Sequence, residues 1–126
     1  MIILTVALVS MAELMAITIR MQMLGRNQTS TIRLAQEKID ELMSQNFATS
    51  ANVAIGGSLT ADVANYFDAP SPLYNRRWQV SAGPVDPPVT ANSLRILTVR
   101  VIPVVTDRRT STPTDITTLI RCWPCP

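Results

Sequence analysis

The sequence predicts an α+β protein in which one long N-terminal α-helix packs on a small antiparallel β-sheet of three to four strands. Three observations carry this prediction. All nine prolines lie at or after Pro70, so no proline interrupts a helix in the first half. Five of the six methionines fall at or before Met23, within a strongly apolar segment. In the second half, apolar and polar residues alternate, which is typical of strands with one buried face.

Residues 1–24 are predicted to form an apolar helix. Six of these residues are polar or charged, and no side chain in residues 1–12 carries a charge. A helix of about 20–24 residues is long enough to cross a bilayer. Glu13 lies near the middle, where a carboxylate in lipid costs about 2.5–3.5 kcal/mol. We therefore expect a transmembrane helix that later packs against other helices, with residues 25–126 as a separate head.

The basic residues lie on only one side of this helix. None precedes the apolar run, whereas Arg20, Arg26 and Arg33 follow it, unlike a signal peptide. Applied to the chain as it stands, the positive-inside rule places the bulk of the protein in the cytoplasm. If a basic leader has been removed before Met1, the orientation reverses and the bulk lies outside. We expect the processed form, although the sequence alone leaves both orientations open.

Residues 26–46 continue as an amphipathic helix. Apolar residues recur every three or four positions, so that one helix from about 2 to 46 is expected, with Gly25 as its one soft point. The predicted stripe contains Ile32, Ala35, Ile39, Leu42 (or Met43) and Asn46.

The rest of the head divides into a connection, a sheet and a tail. Residues 47–76 contain Gly56-Gly57, Pro70 and Pro72, which predict a surface connection with one helical turn around 60–66. The β-sheet spans residues 77–122, with strands at 77–82, 94–105 and 115–122, and Pro103 is expected to end pairing in the second. Residues 123–126 form a C-terminal tail.

The two periodicities predict how the helix and the sheet meet. Each offers one apolar face, and the head has no second long helix to cover the sheet. The stripe residues Ile32, Ala35, Ile39 and Leu42 are expected to pack on the sheet face that carries Trp78, Val80, Leu97, Val99 and Val101. In the first strand, Ala82 alternates onto the same face as Trp78 and Val80.

Composition argues against enzymatic and nucleic-acid-binding functions. Eleven basic and nine acidic residues leave a net charge of +2, which is too small to predict nucleic-acid binding, and there is no histidine. We predict no catalytic site, no metal and no cofactor. The pairs Arg76-Arg77 and Arg108-Arg109 are interpreted as solvated loop charges.

Cys122 and Cys125 form a C-x-x-C pattern at the end of the chain. A thioredoxin-type site needs a following helix, and zinc needs about four ligands. Outside the cytoplasm a local disulfide is favoured. Pairing between subunits, free thiols and a thiol–disulfide redox role are the alternatives.

Glu13 and Arg20 are the two charges within the apolar helix. They share a helix face but lie about 10 Å apart along the axis, too far for an easy direct bond. We interpret them as pairing with neighbouring helices in a bundle and fixing its register. The alternative is exposure or snorkelling at a membrane interface.

Several runs together resemble the type IV pilin superfamily, and more narrowly its PilV-like minor pilins and the I-type minor pseudopilins of type II secretion. The charge-poor start runs into Arg26–Thr29 (RNQT) and then the amphipathic Leu34–Leu42. Tyr74–Val80 (YNRRWQV) and Leu94–Val101 (LRILTVRV) resemble the first two strands of the family's sheet.

The resemblance implies an N-methylated Met1 and a role for the helix in assembly. The family usually begins with Phe and has Glu at its fifth position, where this chain has Met1 and Thr5. That Glu is thought to pair with the N-terminal amine of a neighbouring subunit, and Thr5 cannot supply the charge. Either Glu13 substitutes in another register, or the subunit assembles without that pair.

The predicted function is a structural subunit of a type IV pilus-like filament that polymerises through its N-terminal helix. Expected partners are copies of itself or other pilin-like subunits, a prepilin peptidase and an inner-membrane assembly platform. The protein would be a single-pass inner-membrane protein before assembly and then part of an extracellular or periplasmic filament. One alternative is a minor pseudopilin that primes a type II secretion pseudopilus. Two alternatives come from other classes: a membrane-anchored periplasmic thiol–disulfide protein using Cys122 and Cys125, and a bitopic scaffold that never polymerises.

Overall fold

A computed structural model describes residues 2–84, 93–105 and 112–121. In this part of the chain one α-helix precedes one antiparallel sheet of five strands, which confirms the α+β class. The elements are the helix α1 (Ile2–Ser44), a 3-10 turn (Ala51–Val53) and the strands β1 (Gly56–Gly57), β2 (Phe67–Ser71), β3 (Tyr74–Ala82), β4 (Leu94–Pro103) and β5 (Thr114–Arg121).

The helix α1 is continuous over 43 residues, about 65 Å. It passes through Gly25 without a break, so the expected soft point does not interrupt it. It ends at Ser44, two residues before the predicted end. There Asn46 Oδ1 accepts hydrogen bonds from the backbone N–H groups of Ala48 (2.9 Å) and Thr49 (3.3 Å), and this turn takes the chain away from the helix axis.

β3 and β4 form the centre of the sheet and pair over the whole length of β3, from Tyr74 opposite Pro103 to Ala82 opposite Arg95. β5 pairs with the other edge of β4. β1 and β2 both pair with β3 and lie end to end along the edge that β4 leaves free. Pro103 is the last residue of β4, as predicted from its missing N–H.

The segment 47–76 differs from its prediction as a connection, because it contributes β1 and β2 and enlarges the sheet to five strands. The helical turn expected around 60–66 does not form. Ser58 Oγ accepts hydrogen bonds from the N–H groups of Thr60 and Ala61, and Asn65 has a φ of +69°, which a right-handed helix excludes.

The C-terminal half of α1 covers one face of the sheet, as predicted. Ala35, Ile39 and Leu42 are buried there. On the sheet side, the predicted face is buried at Trp78, Val80, Leu97, Val99 and Val101.

The predicted contact is wrong at Ile32, and two further residues that were placed on the apolar faces, Asn46 and Ala82, are exposed. Ile32 is 41% exposed, and Thr31 is buried instead, because the Thr31 hydroxyl lies 2.9 Å from the Thr114 hydroxyl at the start of β5. Asn46 lies beyond the helix and is exposed. Ala82 is exposed because it belongs to the last residue pair of the β3–β4 ladder. The line of contact on α1 therefore runs through Thr31, Ala35, Lys38, Ile39 and Leu42.

Candidate functional site

The N-terminal half of α1 is the largest unpartnered surface of the described protein. Every described residue from 2 to 23 is exposed, and this half of the helix is long and apolar enough to cross a membrane. Its exposed large side chains are Ile2, Ile3, Leu4, Val6, Leu8, Val9, Met11, Leu14, Met15, Ile17, Ile19, Met21 and Met23. A continuous apolar surface of this kind is not stable in water and marks contact with lipid or protein.

The hydroxyl groups in this half are satisfied within the helix. Thr5, Ser10 and Thr18 donate to backbone carbonyl oxygens three or four residues earlier, at 2.8, 2.8 and 2.9 Å. These bonds remove the cost of placing an unpaired hydroxyl in an apolar environment. Thr5 is therefore compatible with lipid or a helix bundle, although it supplies no charge for assembly.

Glu13 and Arg20 are the charged residues of the apolar half. Both are exposed, and neither has an ion pair within the described part of the chain. A seven-residue separation leaves the two side chains within about 20° of the same direction and about 10.5 Å apart along the axis. Glu13 and Thr31 are separated by five full turns of helix, so they point in the same direction. Because Thr31 contacts the sheet, Glu13 and Arg20 lie on the side of α1 that faces the sheet.

Four charged residues form an ion cluster between the helix and the sheet. Lys38 Nζ lies 3.0 Å from Asp68 Oδ2 and 3.0 Å from Glu41 Oε1. Arg76 donates from Nε and Nη2 to the two Asp68 carboxylate oxygens, at 2.7 and 2.9 Å. Arg76 also donates from Nη1 to the Leu34 carbonyl oxygen at 3.2 Å. We call Lys38, Glu41, Asp68 and Arg76 the helix–sheet ion cluster.

The environment of Asp68 keeps its carboxylate charged. Burial is the largest single effect and raises its pKa. The hydrogen bonds and positive charges of Arg76 and Lys38 together outweigh burial, so the pKa of Asp68 is lowered from its ordinary value. Asp68 and Arg76 are direct partners in the β2–β3 ladder, and Lys38 reaches them from the helix. The cluster therefore ties α1 to two strands at once.

A second set of contacts fixes the segment that follows the helix. Arg95 Nη1 donates to the carbonyl oxygens of Phe47 (2.9 Å) and Val53 (2.6 Å), and the guanidinium lies 3.9 Å from the centre of the Phe47 ring. Trp78 Nε1 donates to the Asn52 carbonyl oxygen at 3.0 Å. The orientation of the helix relative to the sheet is thus supported by the ion cluster within the contact and by these bonds beyond the C-terminal end of α1.

The ion cluster was not predicted from the sequence. Arg76 is buried, which corrects its interpretation as a solvated loop charge, and Arg77 pairs with Asp62 at 2.6 Å. One local signal was available for Lys38, because it lies three and four residues from Ala35 and Leu42 within the apolar stripe. Nothing local indicates that Asp68 is its partner, since sheet register determines that contact. Arg108 and Arg109 lie outside the described residues.

The other predicted site residues cannot be placed. Met1, Cys122, Cys125 and the predicted tail at 123–126 lie outside the described residues. Among the described residues, no group of three or more acidic, cysteine or histidine side chains could hold a metal ion. Comparison with protein-family models, curated proteins and solved structures finds no match to this chain.

Proposed function

We propose that this protein is a structural subunit of a type IV pilin-like filament, held in a membrane by α1 before assembly. One observation carries the proposal. A single continuous helix is buried against a sheet along its second half and is apolar and exposed along its first half. This is a pilin-like layout, and it suits a subunit whose exposed helix moves from lipid into a bundle of identical helices.

The charges of the apolar half support a destination other than lipid. Glu13 at mid-membrane costs about 2.5–3.5 kcal/mol on insertion scales. A neighbouring Arg20 would offset that cost in a bundle, because an opposite charge stabilises a carboxylate in an apolar environment. The helix can therefore reside in the membrane, and it is stabilised when it moves into a bundle where Glu13 is paired.

The spacing of the two charges also sets a geometry for assembly. In parallel packing of identical helices, Glu13 of one copy meets Arg20 of a neighbour when the copies are displaced by seven residues, about 10.5 Å along the axis. Both charges lie on the sheet side of α1. The neighbouring helix would therefore lie beside the apolar half of α1, on the side of the helix that faces the sheet.

The finer identity follows from the resemblance of the sequence to minor pilins and minor pseudopilins. A main filament subunit and a minor subunit that primes a secretion pseudopilus use the same exposed helix. In either case the partners are copies or pilin-like relatives, the prepilin peptidase and the inner-membrane assembly platform. The assembled protein would lie outside the inner membrane.

Two measurements on the native host test the proposal. Electron microscopy of sheared cell-surface and periplasmic material, with antibody against the head, should show label on filaments. Intact mass and N-terminal sequencing should show a methylated Met1. Label confined to membranes, with an unprocessed N-terminus, would contradict the proposal and favour a membrane-anchored scaffold.

A further inference from the structure

We propose that the head carries an apolar tip, formed by Leu73, Val104 and Val105, that inserts into the surface of the phospholipid bilayer that α1 spans. The inference rests on the membrane-anchored half of the proposed function and does not require polymerisation. It concerns a part of the head that contributes nothing to the helix–sheet contact.

The tip is a defined structural unit at one end of the sheet. The Val104 N–H donates to the Leu73 carbonyl oxygen at 2.8 Å, so the β2–β3 turn and the end of β4 are held together. Leu73, Val104 and Val105 are 58%, 49% and 68% exposed. Three adjacent apolar side chains are therefore presented to the surroundings by hydrogen-bonded backbone.

Strand direction places this tip beside the exposed half of α1. Arg95, near the start of β4, contacts the carbonyl of Phe47 beyond the end of the helix. Val101, near the end of β4, pairs with Thr114, whose hydroxyl lies 2.9 Å from that of Thr31. β4 therefore runs from the C-terminal end of the helix towards its apolar half.

The tip lies close to the level at which α1 would enter lipid. From Thr31 to Leu24, where the apolar segment ends, the helix extends about 10 Å along its axis. From Val101 to Pro103, where β4 ends, the strand covers about 7 Å in the same general direction, and Val104 and Val105 follow in a bend. The exposed side chains of the tip therefore lie near the end of the apolar segment.

The chemistry of the tip fits a bilayer surface. Residues 69–75 and 102–105 contain no charged side chain, so placing these residues in the bilayer surface desolvates no ion. Asp107, Arg108 and Arg109, which follow in the sequence, lie outside the described residues. Tyr74 lies next to the tip, and tyrosine is enriched at membrane interfaces. A second copy's helix is the other conceivable occupant. Lipid is favoured because the anchor holds the tip at the bilayer surface in every copy before assembly, whether or not a neighbour is present.

The experiment uses the full chain, with both cysteines intact, at high dilution in phosphatidylcholine–phosphatidylglycerol vesicles. The polarity-sensitive residue dansylalanine is incorporated in place of Leu73 or Val105. The matched control is Ser81, an exposed residue at the other end of β3. A label in place of Val9 reports whether α1 spans the bilayer. Quenching is measured with nitroxide-labelled lipids and with aqueous iodide.

The expected result is several-fold stronger lipid quenching at Leu73 and Val105 than at Ser81, with a blue-shifted emission. If iodide quenches the label at Leu73, Val105 and Ser81 while lipid quenching is retained at Val9, then α1 spans the bilayer but the tip does not insert, and the proposal is overturned. If the labels at Leu73 and Val105 are shielded from both quenchers, and more so at higher protein density, then a second copy covers the tip and the proposal is overturned. Loss of lipid quenching at Val9 would overturn the anchor and the tip together.

Discussion

The ammonium group of Lys38 lies 4.4 Å from the centre of the Trp78 ring, across the interface between the helix and the sheet. The Lys38 side chain is only 5% exposed, and it also contacts the carboxylates of Asp68 and Glu41. Because a cation over an indole face is stabilised while its carboxylate partners neutralise it, a lysine can occupy the centre of this contact. Asp68 pairs with both Lys38 and Arg76, so a substitution there tests this part of the interface.

We predict that Asp68→Asn destabilises the head by about 3 kcal/mol, the lower end of the cost of breaking a buried ion pair, because Asp68 keeps some solvent contact. The substitution leaves Lys38 and Arg76 without their shared carboxylate. The control is Asp115→Asn, which removes an exposed pair with Arg100 and should cost less than about 1 kcal/mol. Urea unfolding in mild detergent, followed by tryptophan fluorescence, measures both. Equal losses would contradict the importance assigned to the cluster.

The same carboxylate predicts how stability depends on pH. The folded-state pKa of Asp68 is below its unfolded value of about 4, so its stabilisation is present above that pH. It is lost as the pH falls through the folded-state pKa. Asp115 acts in the same direction, since the hydrogen bond from Arg100 lowers its pKa against a smaller effect of burial.

The urea midpoint should therefore fall between about pH 5 and pH 2, and Asp68→Asn should flatten this part of the profile more than Asp115→Asn does. If the urea midpoint of Asp68→Asn depends on pH in the same way as that of the wild type over this range, the Asp68 carboxylate is not coupled to folding.

The contact face of α1 is tested by a matched pair of isoleucines. Ile39 is 7% exposed and Ile32 is 41% exposed. Ile39→Ala should cost about 2–5 kcal/mol by leaving a cavity, whereas Ile32→Ala should cost no more than about 0.5 kcal/mol. The same unfolding assay applies, with Arg33→Ala as a second exposed control. Similar losses at Ile32 and Ile39 would instead support the face predicted from periodicity, which contains both residues.

The two-residue strand β1 is tested at Gly57. This glycine has a φ of +86°, and an added Cβ would lie 2.4 Å from the Trp78 carbonyl oxygen. Gly57→Ala should cost about 2–3 kcal/mol through backbone strain and displacement of β1.

At Gly25, in contrast, nothing lies within 4 Å of an added Cβ. Gly25→Ala should be neutral or stabilise α1 by up to about 1 kcal/mol, as helix propensity dictates. Similar effects of the two substitutions on tryptophan fluorescence and helix content would be inconsistent with this structure.

The assembly proposal is tested at Glu13 and Arg20. Glu13→Leu should favour the membrane by about 3 kcal/mol and still lower the yield of filaments. Glu13→Arg and Arg20→Glu should each lower that yield further, because each places like charges opposite one another. The double variant, Glu13→Arg with Arg20→Glu, keeps the charge composition and again places opposite charges together. It should therefore recover filaments, as measured by pelleting of sheared material. An unchanged yield in the single variants would show that these charges do not pair between copies.

Local patterns were sufficient for the elements that depend on residues close together in sequence. The absence of proline before Pro70 predicted one helix through Gly25, and alternation predicted the buried faces of β3 and β4. Pro103 correctly predicted the end of β4, because the missing N–H is a property of the residue itself. β1 and β2 were missed, since their pairing depends on an edge of β3 that is created elsewhere in the chain.

For the candidate site, the apolar helix and the two charges within it were predictable from the sequence, because composition and a seven-residue spacing are properties of the chain alone. Periodicity also placed Ala35, Ile39 and Leu42 on the contact face. The exact line of contact depends on the sheet, since Thr31 replaces Ile32 where the Thr114 hydroxyl lies within hydrogen-bond distance. The tertiary structure also brings Lys38 and Arg76 to the same carboxylate, that of Asp68. Periodicity indicates that a face is apolar, whereas the register between distant elements determines which polar groups are paired well enough to be buried within it.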